Sequence, residues 1–143
     1  HMYRIEHIGI AVKSLEAGNR LYERLLNVAP YKEELVEEQG VITSFFMAGE
    51  GKVELLQATG EHSPIHQFIE RKGEGIHHIA FEVPDIRAEM QRLSELGFQL
   101  IQKEPVRGAD NKLVCFIHPK SAQGVLVEIC QSIPAADTDA MDD

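Results

Sequence analysis

Two histidines and two glutamates recur at matched places along this chain, and together they could hold a divalent cation. His7-Ile8-Gly9-Ile10-Ala11-Val12 is echoed by His78-Ile79-Ala80-Phe81-Glu82-Val83. Val53-Glu54-Leu55-Leu56-Gln57 is echoed by Val127-Glu128-Ile129-Cys130-Gln131. The His-to-Glu separations are 47 residues in the first copy and 50 in the second. Each glutamate interrupts an apolar, strand-like run, where a lone carboxylate is costly unless it is paired or bound to a cation. Two neutral imidazoles and two carboxylates balance a divalent charge and leave positions for substrate oxygens or water. Such an N/O donor set suits cobalt, manganese, nickel, zinc or iron. The competing account makes these four residues the rim of a duplicated sheet, kept by ancestry. Two His–Glu pairs in register favour the metal.

The elements that must position these side chains repeat too. Tyr3–Val12 alternates as a strand, and Ser14 then caps a helix whose apolar face is Leu15, Tyr22, Leu25 and Leu26, with Gly18 a mild cost within it. Strands are expected over 31–36, 42–47 and 52–57, with turns at Glu37-Glu38-Gln39-Gly40 and Gly49-Glu50-Gly51. Ser63-Pro64 starts a short connecting helix. The second copy then offers a strand over 76–83 and a helix capped by Asp85, carrying Ile86, Met90, Leu93 and Leu96 and stopped by Gly97. Strands over 98–102, 112–117 and 124–131 complete it. Side chains alternate between strand faces, so His77 is expected to point away from whatever His78 binds.

A chain of 143 residues suffices for one shared core, whereas modules of about 60–65 residues would be marginal alone. We therefore expect a single domain over 1–131, made of modules 3–58 and 75–131, followed by a disordered acidic tail over 132–143. The formal charge is −9, and four of those charges come from Asp137, Asp139, Asp142 and Asp143. No basic stripe with interleaved aromatics is present, which disfavours nucleic acid. The apolar runs are too short for a membrane span, and no charged-then-apolar leader is visible. His1-Met2 is read as an expression scar. Cys115 and Cys130 lack Cys-x-x-Cys spacing and are expected to be buried free thiols, fitting a reducing cytoplasm.

Other candidates are weaker. His62 and His66 share one helical face but have no third ligand in a recognisable motif, so they are expected to be exposed polar residues. Glu33, Glu34, Glu37 and Glu38 are most simply a solvated strand end and turn.

Two βαβββ-like modules with ligands on their first and last strands resemble the vicinal oxygen chelate superfamily, the glyoxalase/bleomycin-resistance fold, from Ile5 to Gln131. The resemblance implies an α+β fold in which the two tandem modules form a cupped mixed sheet, with the metal inside and helices outside. It places the metal ligands at His7, Glu54, His78 and Glu128, the four that the internal repeat selects. Gly73-Glu74-Gly75-Ile76-His77-His78-Ile79-Ala80-Phe81 is similar to the signature of the methylmalonyl-CoA epimerase family. So are Glu38-Gln39-Gly40-Val41, Phe116-Ile117-His118-Pro119-Lys120-Ser121 and Gly124-Val125-Leu126-Val127-Glu128. Glyoxalase I typically has an Asp-Pro-Asp-Gly-like turn where this chain has His118-Pro119-Lys120.

This second resemblance implies proton abstraction from a coenzyme A thioester through a metal-stabilised enolate, with Glu128 as base. Lys112 and Lys120, flanking the last strands, are expected contacts for coenzyme A phosphates. Some epimerases carry an acid/base Glu where Thr43 stands here, so the second proton donor is unassigned. A homodimer is common in the superfamily. The alternatives are glyoxalase I, which carries out similar proton transfer, and a metal-free small-molecule binder of the same fold. An extradiol dioxygenase is disfavoured because a fourth protein ligand would crowd its iron.

Overall fold

Repetition in the sequence becomes repetition of elements in the computed structural model, which describes residues 3–134. The first copy contains β1 (Arg4–Ala11), α1 (Leu15–Leu26), β2 (Lys32–Val36), β3 (Val41–Ala48) and β4 (Gly51–Ala58). A linking helix, α2 (Pro64–Lys72), leads to β5 (Gly75–Glu82), α3 (Ile86–Glu95), β6 (Val106–Gly108), β7 (Lys112–Ile117) and β8 (Val127–Ser132). The fold is α+β, with mixed pairing of the strands. The chain divides into two compact units, Ile5–Ile79 and Ala80 onward with Tyr3 and Arg4.

In the first unit the strand order is β2-β3-β4-β1-β5. The β2-β3-β4 meander is antiparallel, and β1 lies parallel to β4 with Gly9 opposite Glu54. Helix α1 starts where Ser14 accepts a hydrogen bond from the Ala17 amide, satisfying an otherwise orphaned donor. It packs Leu15, Tyr22 and Leu26 with Val12, Phe46 and Leu55. Gly18 permits that approach, because a Cβ there would lie 3.0 Å from Leu55 Cδ1. Leu25, expected on the same face, is exposed. At roughly 100° per residue it falls well off the Leu15–Tyr22–Leu26 line.

In the second unit the order is β5-β8-β7-β6, and β6, β7 and β8 pair antiparallel. Asp85 caps α3 through the Ala88 amide, and Ile86, Met90 and Leu93 pack with Leu113, Cys115, Ile117 and Ile129. Leu96 is the exposed C-cap rather than a core residue. Cys115 and Cys130 are buried free thiols.

The strand expected over 98–102 does not form, and β6 lies farther along the chain. Phe98 N–H bonds back to the Leu93 carbonyl, and Gln99 N–H donates to Ser121 Oγ. The Gln102 side chain takes the Phe116 amide that a pairing strand would use. Only an isolated bridge, Leu100 to Ile117, remains. Strand β8 likewise starts at Val127, not Gly124, because Gly124 and Val125 spend their N–H groups on a turn over Pro119 and Ala122. At the other end it extends through Ser132, and Ile133 is buried in the core, so order outlasts the expected boundary at Gln131. Residues 135–143 of the expected acidic tail lie outside the described residues.

Buried Glu89 on α3 accepts from Arg92 and from the Tyr3 hydroxyl. The Arg92 guanidinium pulls its carboxyl below the usual range against the opposing effect of burial, and Tyr3 assists. A depressed carboxyl stabilises the fold above its unfolded pKa, and that stability is lost as pH falls through the folded value. Glu89→Gln should therefore flatten the acid limb of stability below about pH 4.5 and lower neutral-pH stability by about 1 kcal/mol, given that Arg92 is half exposed. Denaturant melts across pH would check this, and an unchanged acid slope would remove Glu89 as its source.

Candidate metal centre

Three strands of the first unit bring His7, Glu54 and His78 together: β1, β4 and β5 respectively. Their nearest donor atoms all lie within 4.8 Å of one another, and all three residues are buried. His7 Nε2 is 2.9 Å from His78 Nε2 and 3.2 Å from Glu54 Oε1, and His78 Nε2 is 3.5 Å from the same oxygen. Nitrogen and oxygen atoms bound to one cation at about 2.0–2.2 Å sit roughly 3–3.5 Å apart. The donor set therefore fits a divalent cation in both chemistry and spacing.

The electrostatics agree. Burial pushes the Glu54 carboxyl up, but hydrogen bonds and charge from His7 and His78 outweigh it and hold the carboxyl at about 2. A buried, ionised carboxylate between two imidazoles is a site with negative charge to neutralise.

Two residues around this cluster escaped the sequence reading, and a third, His77, was expected to point away from it but turns its ring onto His78. Gly9 is the first: a Cβ there would lie 2.1 Å from His78 Cε1, so the His78 ring occupies the place of a side chain. Its signal was a glycine inside a strand, which often marks a close approach. Glu6 is the second, almost fully buried, with Oε1 2.8 Å from His7 Nδ1 and Oε2 2.7 Å from Lys52 Nζ. His77 is the third, with Nδ1 3.0 Å from His78 Nδ1 and its ring edge-on to Phe68. Burial, the nearby His78 and Lys72 lower the His77 pKa to about 4 against the opposing pull of Glu54.

The remaining expected site residues lie on other elements of the two units. Glu128 belongs to the second unit, buried on β8 opposite Phe116. Lys112 is buried there too, its ammonium 2.9 Å from Ser132 Oγ and 4.0 Å from Glu82. Lys120 is exposed in the turn after β7, its amide donating to His118 Nδ1. Thr43 is fully buried, and its Oγ1 has no hydrogen-bond partner among the described residues. Strand pairing puts Thr43, Phe45, Glu54 and Leu56 on one face of β3 and β4. His66 pairs with Glu70 on α2, and His62 is exposed.

Residues 6–116 match the model of the glyoxalase/bleomycin resistance protein/dioxygenase superfamily. The chain belongs to this superfamily. Among its relatives, the ethylmalonyl-CoA/methylmalonyl-CoA epimerase of Cereibacter sphaeroides is 41% identical over 90% of this chain and 97% of its own. The mitochondrial methylmalonyl-CoA epimerase of Homo sapiens is 37% identical over 90% of this chain and 74% of its own. A solved variant of Streptomyces coelicolor methylmalonyl-CoA epimerase, in complex with 2-nitronate-propionyl-CoA, superposes with a TM-score of 0.88. It is 34% identical, over 92% of this chain and 98% of that one. Among the described residues, no helix is long and apolar enough to cross a membrane.

Proposed function

We propose that this chain is a metal-dependent epimerase that interconverts the two epimers of methylmalonyl-CoA. The observation that carries this reading is the buried His7–Glu54–His78 set, at separations of 2.9–3.5 Å, in a chain 41% identical to a named epimerase of that substrate class. A metal-free binding protein gives these buried donors no task, and no relative named here is a glyoxalase I.

The acidic carbon of methylmalonyl-CoA lies between a thioester carbonyl and a carboxylate, so the charge left by its proton spreads onto oxygen. A cation held by His7, Glu54 and His78, with Glu128 as the proposed fourth ligand, would supply Lewis-acid stabilisation of that charge. Glu128 is the proposed general base, removing the proton from one face of the carbon. Inversion needs a proton from the opposite face. Thr43 lacks the carboxylate that some epimerases use, but its buried hydroxyl can accept from a water and donate to the substrate, passing a proton on without storing one. Lys120 is the proposed phosphate contact. Lys112 would first have to leave Ser132. The metal is one of cobalt, manganese, nickel, zinc or iron, and the working form is proposed to be a cytoplasmic homodimer.

The test offers one epimer of methylmalonyl-CoA in deuterated water to metal-loaded protein and to a chelated control. Inversion with deuterium uptake at the acidic carbon, dependent on metal, is expected. No exchange above the control, with metal confirmed bound, sinks the reading; product from methylglyoxal plus glutathione then favours glyoxalase I. In the same assay Thr43→Val should slow inversion by about 10²-fold, the low end for an acid–base contribution. Lys120→Ala should raise KM and leave kcat in place. Wild-type rates in either variant would remove that residue from the mechanism.

A further inference from the structure

The residue immediately before each ligand histidine has a different identity in the two copies, yet it does the same geometric thing. Glu6 precedes His7 and meets its Nδ1, and His77 precedes His78 and meets its Nδ1. We propose that Glu6 and His77 are the positioning residues of the metal centre, each gripping the far edge of its ligand ring so that both Nε2 atoms face the cation. The proposal rests on the metal-site reading above.

Hydrogen-bond chemistry makes the two grips unequal. An ionised carboxylate only accepts, so Glu6 requires the proton of His7 to sit on Nδ1. A neutral His7 then has its lone pair on Nε2, the atom in the cluster. Lys52, 2.7 Å from the other Glu6 oxygen, supplies the counter-charge that this buried carboxylate needs. In the second grip both atoms are imidazole Nδ1, so one must donate and the other accept. His78 can ligate through Nε2 only if its own Nδ1 donates, which makes His77 the acceptor with its proton on Nε2. Phe68, edge-on to His77 at 5.0 Å between centroids, keeps the ring in place for this. His7 is thus locked in the ligating tautomer, whereas His78 takes it because His77 accepts.

Cobalt(II) titrated calorimetrically into metal-stripped protein, alongside thermal melts, tests this. Glu6→Leu cannot accept from His7 Nδ1 and should weaken cobalt binding by about 10–100-fold, as loss of a partner behind a ligand histidine typically does. Should that variant unfold because Lys52 loses its counter-charge, Glu6→Leu combined with Lys52→Met removes both charges and should show the same weakening. At the other ring, His77→Phe keeps the packing on Phe68 but cannot accept, and it should weaken cobalt similarly. His77→Gln keeps an acceptor and should stay within a few-fold of wild type. A purely structural role predicts the reverse order, Phe better than Gln. Wild-type affinity in both Glu6 variants, or Phe matching or exceeding Gln at position 77, overturns the proposal. Failure of the unmodified protein to bind cobalt instead overturns the metal site itself.

Discussion

Replacing His78 by Ala is expected to strip the protein of its metal and of its turnover together. The imidazole supplies one of three donor atoms, so its loss should exceed the roughly 10–100-fold that removal of a supporting partner costs. It also takes from Glu54 one of the two rings that hold its carboxyl at about 2, so a buried carboxylate is left with less to keep it charged. Metal content by elemental analysis, with inversion of methylmalonyl-CoA measured on the same sample, checks both parts. Full activity in a metal-free His78→Ala variant would falsify the assignment of the centre. Retained metal with lost activity would move His78 from ligand to substrate contact.

The second large effect comes from a residue with no side chain. Gly9→Ala should cost about as much metal affinity as a lost ligand, although a methyl group is all that is added. In an ordinary strand this change is neutral or stabilising by roughly 0.5–1 kcal/mol. Here the new Cβ would meet His78 Cε1 at 2.1 Å and Nδ1 at 2.4 Å, far inside contact distance. The ring cannot simply swing aside, because its Nδ1 is engaged by His77 and its Nε2 by the cluster. Cobalt titration of Gly9→Ala should show at least a 100-fold loss, beyond the supporting-partner range. Gly18→Ala provides the contrast: its new Cβ would meet the flexible end of Leu55 at 3.0 Å and the Val12 methyls at 3.5 and 3.6 Å, and no ligand ring. Equal, small losses in the two variants would show that the His78 ring is free to yield.

Much of this was legible before any coordinates. The repeat alone singled out His7, Glu54, His78 and Glu128, because duplication copies a ligand and its strand context together, and the first three meet in one buried cluster. Local chemistry also placed the helix starts, since Ser14, Ser63 and Asp85 each cap as their side-chain oxygens dictate. The segment 98–102 has strand-like composition, but Gln102 and Ser121 offered its neighbourhood other hydrogen-bond partners, and pairing moved to Val106–Gly108. Leu25 and Leu96 are apolar yet exposed, Leu25 because it lies well off the buried line of α1 and Leu96 because it is the C-cap of α3.

Which side chains could carry the chemistry was readable along the chain, because residue type and repeat position are local properties. How they are held came only with folding. Glu6 behind His7 and His77 behind His78 are adjacent in sequence, but alternation along a strand predicts that neighbours point apart. Only the rotamers and packing of the folded chain turn them onto the ligand rings. Gly9 has no room for a Cβ only because β5 lies beside β1 and places the His78 imidazole there. Such constraints arise from atoms distant in sequence competing for one volume, and no periodicity in the chain records that competition.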